Sequence, residues 1–169
     1  MNGYWKFTYA NGDEYEGNWK NGLAHGEGKY TFADGDVYDG NWRDGKKHGE
    51  GKYTFADGTV YTGEFRNDKR HGEGKQKFAD GRVYVGNWKN DLAHGEGKHM
   101  WVDGDVYEGD WKNDKKHGEG KYTFADGTLY QGEWIDDKPK RHVDQFADHL
   151  TRAATGIVLS VALRRALGL

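Results

Sequence analysis

The amino-acid sequence predicts an all-β repeat protein: stacked 23-residue hairpins forming one elongated, single-layer, twisted antiparallel ribbon of about twelve strands, followed by one C-terminal α-helix. Three observations support this fold class. A motif recurs every 23 residues, apolar and polar residues alternate with period two inside each copy, and helical periodicity replaces that alternation near the C-terminus. We therefore divide the chain into a repeat array, residues 1–138, and a C-terminal helix, residues 139–169.

A tyrosine, a glycine two residues later and an aromatic residue two further on mark each repeat. The first such triplet is Tyr15, Gly17 and Trp19, and the equivalent tyrosine returns every 23 residues as far as Tyr130. The opening segment Gly3–Gly12 aligns with the second half of a repeat. The array thus contains five full periods between two half-units.

Two strands account for each repeat. In VYDGNW, residues Tyr38, Gly40 and Trp42 share one side, because alternate residues of a strand lie on the same face. The segment HGEGKYTF alternates in the same way and supplies the second strand. The Asp34-Gly35 step between the two kinds of strand predicts a two-residue type I′ hairpin turn. The segment KNGLAH, or RDGKKH, closes the opposite end of each hairpin.

Glycine at every second position beside large rings has a steric interpretation. Because glycine has no Cβ, a ring from the adjacent strand can lie on the backbone there. The sequence therefore predicts one face of rings over glycine and one face of Asp, Glu, Lys, Asn and Thr. A single hairpin is marginal in water, so each repeat gains stability by stacking on its neighbours.

The segment YDGNWRDGKKHGEGKYTFADG, which starts at Tyr38, resembles the MORN (membrane occupation and recognition nexus) repeat. The resemblance covers about Gly3 to Trp134. It implies an elongated twisted β-ribbon with an aromatic groove, and roles in scaffolding, binding of a partner helix, self-association, and phosphoinositide or membrane attachment. Enzymes of that family carry a separate catalytic domain, and only about thirty residues remain here. We therefore expect a protein that is not an enzyme.

The predicted partner-binding groove runs along the ring face of the middle repeats. Its residues are Tyr38, Trp42, Tyr61, Phe65, Gln76, Phe78, Tyr84, Trp88, His99, Trp101, Tyr107 and Trp111. Gln76 and His99 replace tyrosine and are expected to place polar groups in the groove. Val85, Met100 and Val102 are expected to make the other face locally apolar. Drift between copies would explain the same differences.

Repeated acidic and histidine residues do not predict catalysis or metal binding. The histidines at one repeat position are His25, His48, His71, His94 and His117. Equivalent residues two strands apart are about 9–10 Å from each other, whereas zinc binds imidazole nitrogen at about 2.0–2.1 Å. Each histidine is instead expected to pack at a loop and to pair with local backbone groups. We predict no cofactor and no metal. The array carries 20 Lys and Arg against 26 Asp and Glu, which disfavours nucleic acid.

The C-terminal segment is predicted to mediate self-association. Its candidate residues are Phe146, Leu150, Ile157, Val158, Leu159, Val161, Leu163 and Leu167. A stripe from Val143 to Val161 can dock the helix on the ribbon, with Arg152 well away from that stripe. After Ile157 the helix is apolar on nearly every side and needs covering by protein. A membrane-surface helix and a cap over the last edge strand are the alternatives.

Two functions remain open at this point. The first is a non-enzymatic scaffold or adaptor whose groove binds a helix of its own, of a neighbouring chain or of a partner, in a homo-oligomer. The second is a peripheral membrane protein that binds anionic phospholipid. The basic residues predicted for that lipid site are Lys46, Lys47, Lys69, Arg70, Lys115, Lys116, Arg164 and Arg165. The start of the chain lacks the pattern of a secretory signal, which predicts a cytoplasmic or membrane-peripheral location.

Overall fold

The computed structural model describes residues 1–140, which form one open sheet of antiparallel strands paired in chain order. The thirteen strands are β1 Gly3–Thr8, β2 Glu14–Lys20, β3 Leu23–Thr31, β4 Val37–Arg43, β5 Lys46–Thr54, β6 Val60–Arg66, β7 Lys69–Lys77, β8 Val83–Lys89, β9 Leu92–Met100, β10 Val106–Lys112, β11 Lys115–Thr123, β12 Leu129–Ile135 and β13 Lys138–Pro139. The predicted all-β antiparallel sheet is confirmed, with a short thirteenth strand added. The predicted helix lies outside the described residues from position 141 onward.

The two ends of the hairpins use different turns, and the type I′ turn is at the end opposite to the predicted one. Lys20 pairs with Leu23, and the two residues between them, Asn21 and Gly22, have φ of 51° and 78°. Positive φ at both central positions is the signature of a type I′ turn. The equivalent step Asn67-Asp68 adopts the same conformation without glycine, at φ of 48° and 71°.

The Asp34-Gly35 step belongs to a three-residue loop. The Phe32 amide donates to the Asp36 carbonyl at 2.9 Å, and the Gly35 amide donates to the Phe32 carbonyl at 3.0 Å. Gly35 has a φ of 98°, whereas Asp34 is not among the residues with positive φ. This is the pattern of a type I turn followed by one left-handed residue. The prediction of a type I′ turn here was wrong, because aspartate-glycine suits both loops.

Rings lie on glycine as predicted. Gly40 of β4 pairs with Gly51 of β5, and the Tyr38 ring covers Gly51. A Cβ built on Gly51 would be 2.5 Å from Tyr38 Oη and 2.6 Å from a ring carbon, well inside van der Waals contact. The Tyr38 hydroxyl donates to the Asn41 carbonyl at 2.8 Å, and the side chain is fully buried. The ring-over-glycine arrangement is confirmed.

Rings of successive repeats interlock edge to face. Tyr38 makes T-shaped contacts with Trp42 of its own repeat, at 5.1 Å between centroids, and with Phe65 of the next repeat, at 5.0 Å. The Trp42 indole N–H donates to the Gly28 carbonyl of the preceding repeat at 2.9 Å. An aromatic pair contributes about 0.5–1.5 kcal/mol beyond its buried area. The core is therefore one row of rings on one side of the sheet, here called the aromatic face.

Candidate binding surface on the aromatic face

The tyrosines predicted for the partner-binding groove lie beneath its surface. They are at most 2% exposed and comprise Tyr38, Tyr61, Tyr84 and Tyr107. Since each is covered by rings of this chain, these tyrosines form the floor under any contact surface. Burial also raises their pKa values above the usual range.

The other predicted groove residues form the walls. Four of these predicted groove residues have large rings that are 4–8% exposed: Trp42, Phe65, Trp88 and Trp111. Phe78 and Trp101 are half-buried and are the predicted groove rings most open to solvent. Gln76 and His99 are buried on this face, at 6% and 7% exposure. The structure thus brings the predicted groove residues onto one face, in two layers.

The basic pairs assigned to lipid binding are split by strand alternation. Lys46, the first residue of its pair, is exposed, whereas Lys47 turns onto the aromatic face because it pairs with Trp42. The same division separates exposed Lys69 from Arg70 and exposed Lys115 from Lys116. Only one residue of each pair therefore points to solvent. The two arginines of the lipid set, Arg164 and Arg165, and the whole self-association set lie outside the described residues.

Each inward-turned lysine lies in a cluster of four rings, here called a cation cage. Lys47 Nζ is 4.6 Å from the Tyr53 ring centroid and 5.7–5.9 Å from three further rings, those of Phe32, Tyr38 and Phe65. Lys116 Nζ lies 4.8–5.8 Å from the rings of Trp101, Tyr107, Tyr122 and Trp134. Burial lowers the pKa of both lysines. Ring faces attract a cation at these distances.

A hydrogen bond from tyrosine to a carboxylate is present at both cation cages. The Tyr53 hydroxyl donates to Asp36 at 2.6 Å, and Tyr122 donates to Asp105 at the same distance. The two middle repeats lack this bridge: one has Gln76 and Thr59 at the tyrosine and aspartate positions, and the next has His99 and Arg82. Arg82 instead pairs with Asp80 at 2.7 Å. The predicted break in symmetry therefore changes a specific hydrogen bond.

A cavity of about 370 Å³ opens on the aromatic face where the symmetry breaks. Ala93 lies in its lining with His99, Trp101 and Trp111. Burial, with Arg82 and Lys116 nearby, lowers the pKa of His99 to about 4, so its imidazole is neutral at pH 7. Its Nδ1 is buried and has no hydrogen-bond partner within residues 1–140.

Ala93 was missing from the predicted site. The signal was available at one repeat position, which reads Ala24, Lys47, Arg70, Ala93 and Lys116 in successive copies. Because three copies carry a cation and two carry alanine at this register, the repeats differ there in side-chain volume and charge. The sequence alone did not show that this register faces the rings.

The opposite face carries an open groove of about 920 Å³, lined by glycines and by carboxylates such as Glu50, Glu73 and Glu96. Val85 is exposed there as predicted, at 42%, and Val102 is exposed in a turn. Met100 is half-buried beside Val83 and Val106.

The repeated histidines differ from the prediction in their hydrogen bonding. Nδ1 of His25, His48, His71 and His117 is buried and makes no hydrogen bond within residues 1–140, whereas His94 Nδ1 lies 3.3 Å from Asn113 Oδ1. Residues 1–140 contain no cluster of three or more potential metal ligands. They also contain no helix of the length and hydrophobicity needed to span a bilayer.

Comparison with known proteins identifies the repeat. The sequence model described as the MORN repeat matches six segments, residues 15–37, 38–60, 61–81, 84–106, 107–129 and 130–142. A search of curated proteins gives no match.

Among solved structures, the chain is similar to the TCP domain of SAS-4 (dCPAP) from Drosophila melanogaster, solved with a proline-rich motif of Ana2 (dSTIL). The TM-score is 0.48 and the identity 16%, over 76% of this chain and 70% of that chain. A weaker likeness, to virginiamycin B lyase from Staphylococcus aureus, has a TM-score of 0.22 and 10% identity, over 79% of this chain and 56% of that chain. At these scores neither likeness supports a functional inference.

Proposed function

This chain belongs to the MORN repeat family, and we propose that it is a non-enzymatic scaffold whose aromatic face binds a helix and whose C-terminal segment mediates self-association. The observation that supports this function is the cavity around Ala93, flanked by the half-buried ring of Trp101. Large rings with one open edge are typical anchors of protein interfaces.

The spacing of the repeats suits a helix. Successive repeats are two strands apart, about 10 Å. Seven residues of α-helix advance about 10.5 Å. Side chains seven residues apart on one side of a helix would therefore meet equivalent positions of successive repeats. This is the spacing with which an amphipathic helix binds in a groove.

A scaffold role without catalysis fits the repeated environments of the ionisable groups. Acid-base catalysis needs two groups held in different environments. Glutamates such as Glu50, Glu73 and Glu96 instead occupy one register in successive repeats and line the same open groove. Their repetition is accounted for by the scaffold itself.

The proposal is tested with a fluorescent peptide of residues 139–169, titrated with the full chain and followed by anisotropy. Trp101→Glu places a charge in the groove and should weaken binding at least tenfold. Val85→Glu introduces a glutamate at an exposed apolar position of the opposite face and should bind within twofold of the parent. Equal affinity of the parent and Trp101→Glu would contradict the groove.

The second candidate is attachment to anionic lipid, supported by the row of exposed lysines Lys46, Lys69 and Lys115 at one register. Its support is weaker than the sequence predicted, because the second cation of each pair faces the rings. Co-sedimentation with vesicles containing phosphoinositide tests this function. Binding that is lost when all three lysines become glutamine would favour the membrane over the scaffold. The cytoplasmic or membrane-peripheral location stays a prediction.

A further inference from the structure

Ala93 occupies the register at which three other repeats place a cation over rings: Lys47 and Lys116 in their cages, and Arg70 at 4.3 Å from the Trp88 ring centroid. The residues 15 and 9 positions before Lys47, and those 6 and 18 positions after it, supply its four cage rings. Lys116 has rings at the same four offsets. Applied to Ala93, these offsets give Phe78, Tyr84, His99 and Trp111, all of which line the 370 Å³ cavity.

The cage at Ala93 has the same ring arrangement, although residue 93 supplies no cation and the Arg82 guanidinium lies over the Phe78 ring, 4.6 Å from its centroid. Tyr84 and Trp111 are 5.3 Å apart and T-shaped, where the Lys47 cage has Tyr38 and Phe65 at 5.0 Å. Tyr84 and His99 are 6.5 Å apart, the same separation as Tyr38 and Tyr53.

Phe78 and His99 are 6.1 Å apart, against 5.9 Å for Phe32 and Tyr53. The ring surface that receives a lysine ammonium two repeats earlier is therefore already formed at Ala93. Within residues 1–140 no cation lies over the rings of Tyr84, His99 or Trp111, so an incoming cation would meet these three rings and share the Phe78 ring with Arg82.

A carboxylate without a cationic partner accompanies this cage. Asp114 accepts the Ala93 amide at 2.7 Å, as Asp91 accepts the Arg70 amide at 2.9 Å. Asp91 also pairs with the Arg70 guanidinium, whereas Asp114 makes no salt bridge within residues 1–140. Three cations also line this cavity: Arg70 is paired with Asp91, Arg82 is paired with Asp80, and Lys116 lies in its own cage. Asp114 therefore offers a negative charge to an incoming cation.

We propose that the cage at Ala93 receives an arginine side chain, Arg164 or Arg165, from the C-terminal segment of a second copy of this chain. The proposal rests on the scaffold function above and names the side chain that the groove recognises. These arginines follow Val161 by three and four residues. In the predicted helix this spacing continues the apolar stripe that is expected to dock, and it places Arg152 on the opposite side.

Charge and reach favour donation by a second copy. Residues 139–169 carry five Lys and Arg against two Asp and Glu, whereas the array has an excess of acids. From β13 to β9 is four strands, about 19 Å. From Lys140 to Arg164 is about 36 Å of helix. A straight helix that began at Lys140 and ran along the sheet would carry Arg164 past Ala93, whereas the tail of a second copy is not bound by this distance.

The test titrates the full chain with fluorescent peptides of residues 139–169 at low salt. Replacing both Arg164 and Arg165 with glutamine should weaken binding at least tenfold, whereas Arg152→Gln should change it less than twofold. On the full chain, Ala93→Lys fills the cage and should also weaken binding at least tenfold. Ala56→Lys adds the same charge at an exposed turn and serves as its control.

A cycle of both changes gives the sharpest result. If the arginines meet the cage, replacing them should cost no further affinity once the cage is filled. The peptide with both arginines replaced by glutamine should therefore bind the Ala93→Lys chain as tightly as the parent peptide binds that same chain. Additive losses, or equal losses from Arg152→Gln, would overturn the assignment. Peptide binding that appears only when Arg164 and Arg165 of the full chain are replaced would show that a tail already fills the cage. If light scattering then finds the parent chain monomeric, the tail is its own and donation by a second copy is refuted.

Failure of this proposal is distinguishable from failure of the proposed function. If the peptide binds the parent and Trp101→Glu weakens it, while Ala93→Lys does not, the groove stands and the arginine assignment falls. If Trp101→Glu and the parent bind equally, the groove itself is wrong.

Discussion

Gly109→Ala should strongly destabilise the sheet, although it adds a single methyl group. A Cβ built on Gly109 would be 2.5 Å from the Glu119 carbonyl oxygen and 2.5 Å from Gly120 Cα, both backbone atoms of β11. Neither can move without shifting a strand. Overpacking of a tight site costs about 1–3 kcal/mol. Because the contacts are to backbone, we expect the upper end, about 3 kcal/mol.

Gly132→Ala is the matched control, at the equivalent position of the last repeat. Its Cβ would meet only the Tyr130 side chain, with the hydroxyl oxygen at 2.9 Å and the nearest ring carbon at 3.3 Å. A side chain can adjust by a few tenths of an ångström. Replacing glycine in a strand also gains about 0.5–1 kcal/mol of chain entropy. We expect a change of less than about 1 kcal/mol.

Urea unfolding followed by circular dichroism measures both variants. An expected loss of about 3 kcal/mol corresponds to a fall in Tm of roughly 10 °C for a chain of this size. The contrast between the two positions isolates the backbone contact, since the chemical change is identical. A Gly109→Ala variant as stable as Gly132→Ala would refute the view that close backbone contact with β11 requires glycine at position 109.

Three further changes test other parts of the structure. His99 is neutral when folded, with a pKa of about 4 against an ordinary value of about 6.5, so the unfolded chain binds more protons between these values and stability should fall as pH falls. From pH 7 to pH 5 the parent should lose about 2 kcal/mol more than His99→Tyr in urea melts, and equal losses would contradict the buried imidazole. Lys47→Ala should cost about 1–2 kcal/mol in the same assay through its lost ring contacts, whereas exposed Lys46→Ala should stay within about 0.5 kcal/mol; similar effects would contradict the split of the basic pair. Changing Leu159 and Leu163 together to glutamate should dissociate the predicted assembly by several kcal/mol in light scattering and leave the β-sheet signal unchanged, since a buried leucine contributes about 1.5–3 kcal/mol; a parent that is monomeric at tens of micromolar would contradict the self-association.

The period and the alternation predicted the sheet well because both are local properties. Tyr38, Gly40 and Trp42 reach one face through strand geometry alone. The turns were harder, since Asp34-Gly35 suits both a type I′ turn and a three-residue loop. Distinguishing these requires knowing that Phe32 and Asp36 are the residues joined across the turn.

The site was only partly predictable, because its main features depend on neighbouring strands. Two adjacent lysines look like one basic patch in sequence, yet Lys47 reaches the rings through its pairing with Trp42 while Lys46 does not. The groove tyrosines look exposed in sequence because they alternate with polar residues. They become buried when rings from two repeats close over them, as Trp42 and Phe65 close over Tyr38.

The alanine at the cage register links stability to binding. Lys47 and Lys116 each occupy four rings and complete the core of their own repeats, so a cation at position 93 would be expected to stabilise its repeat as well. The segment LAHGEGK occurs at Leu23 and again at Leu92, and both copies carry the alanine. If the ring surface at Ala93 is kept open for a second chain, Ala93→Lys should raise the Tm and reduce peptide binding together. A variant that gains stability while binding the peptide as tightly as the parent would show that the alanine serves no binding role.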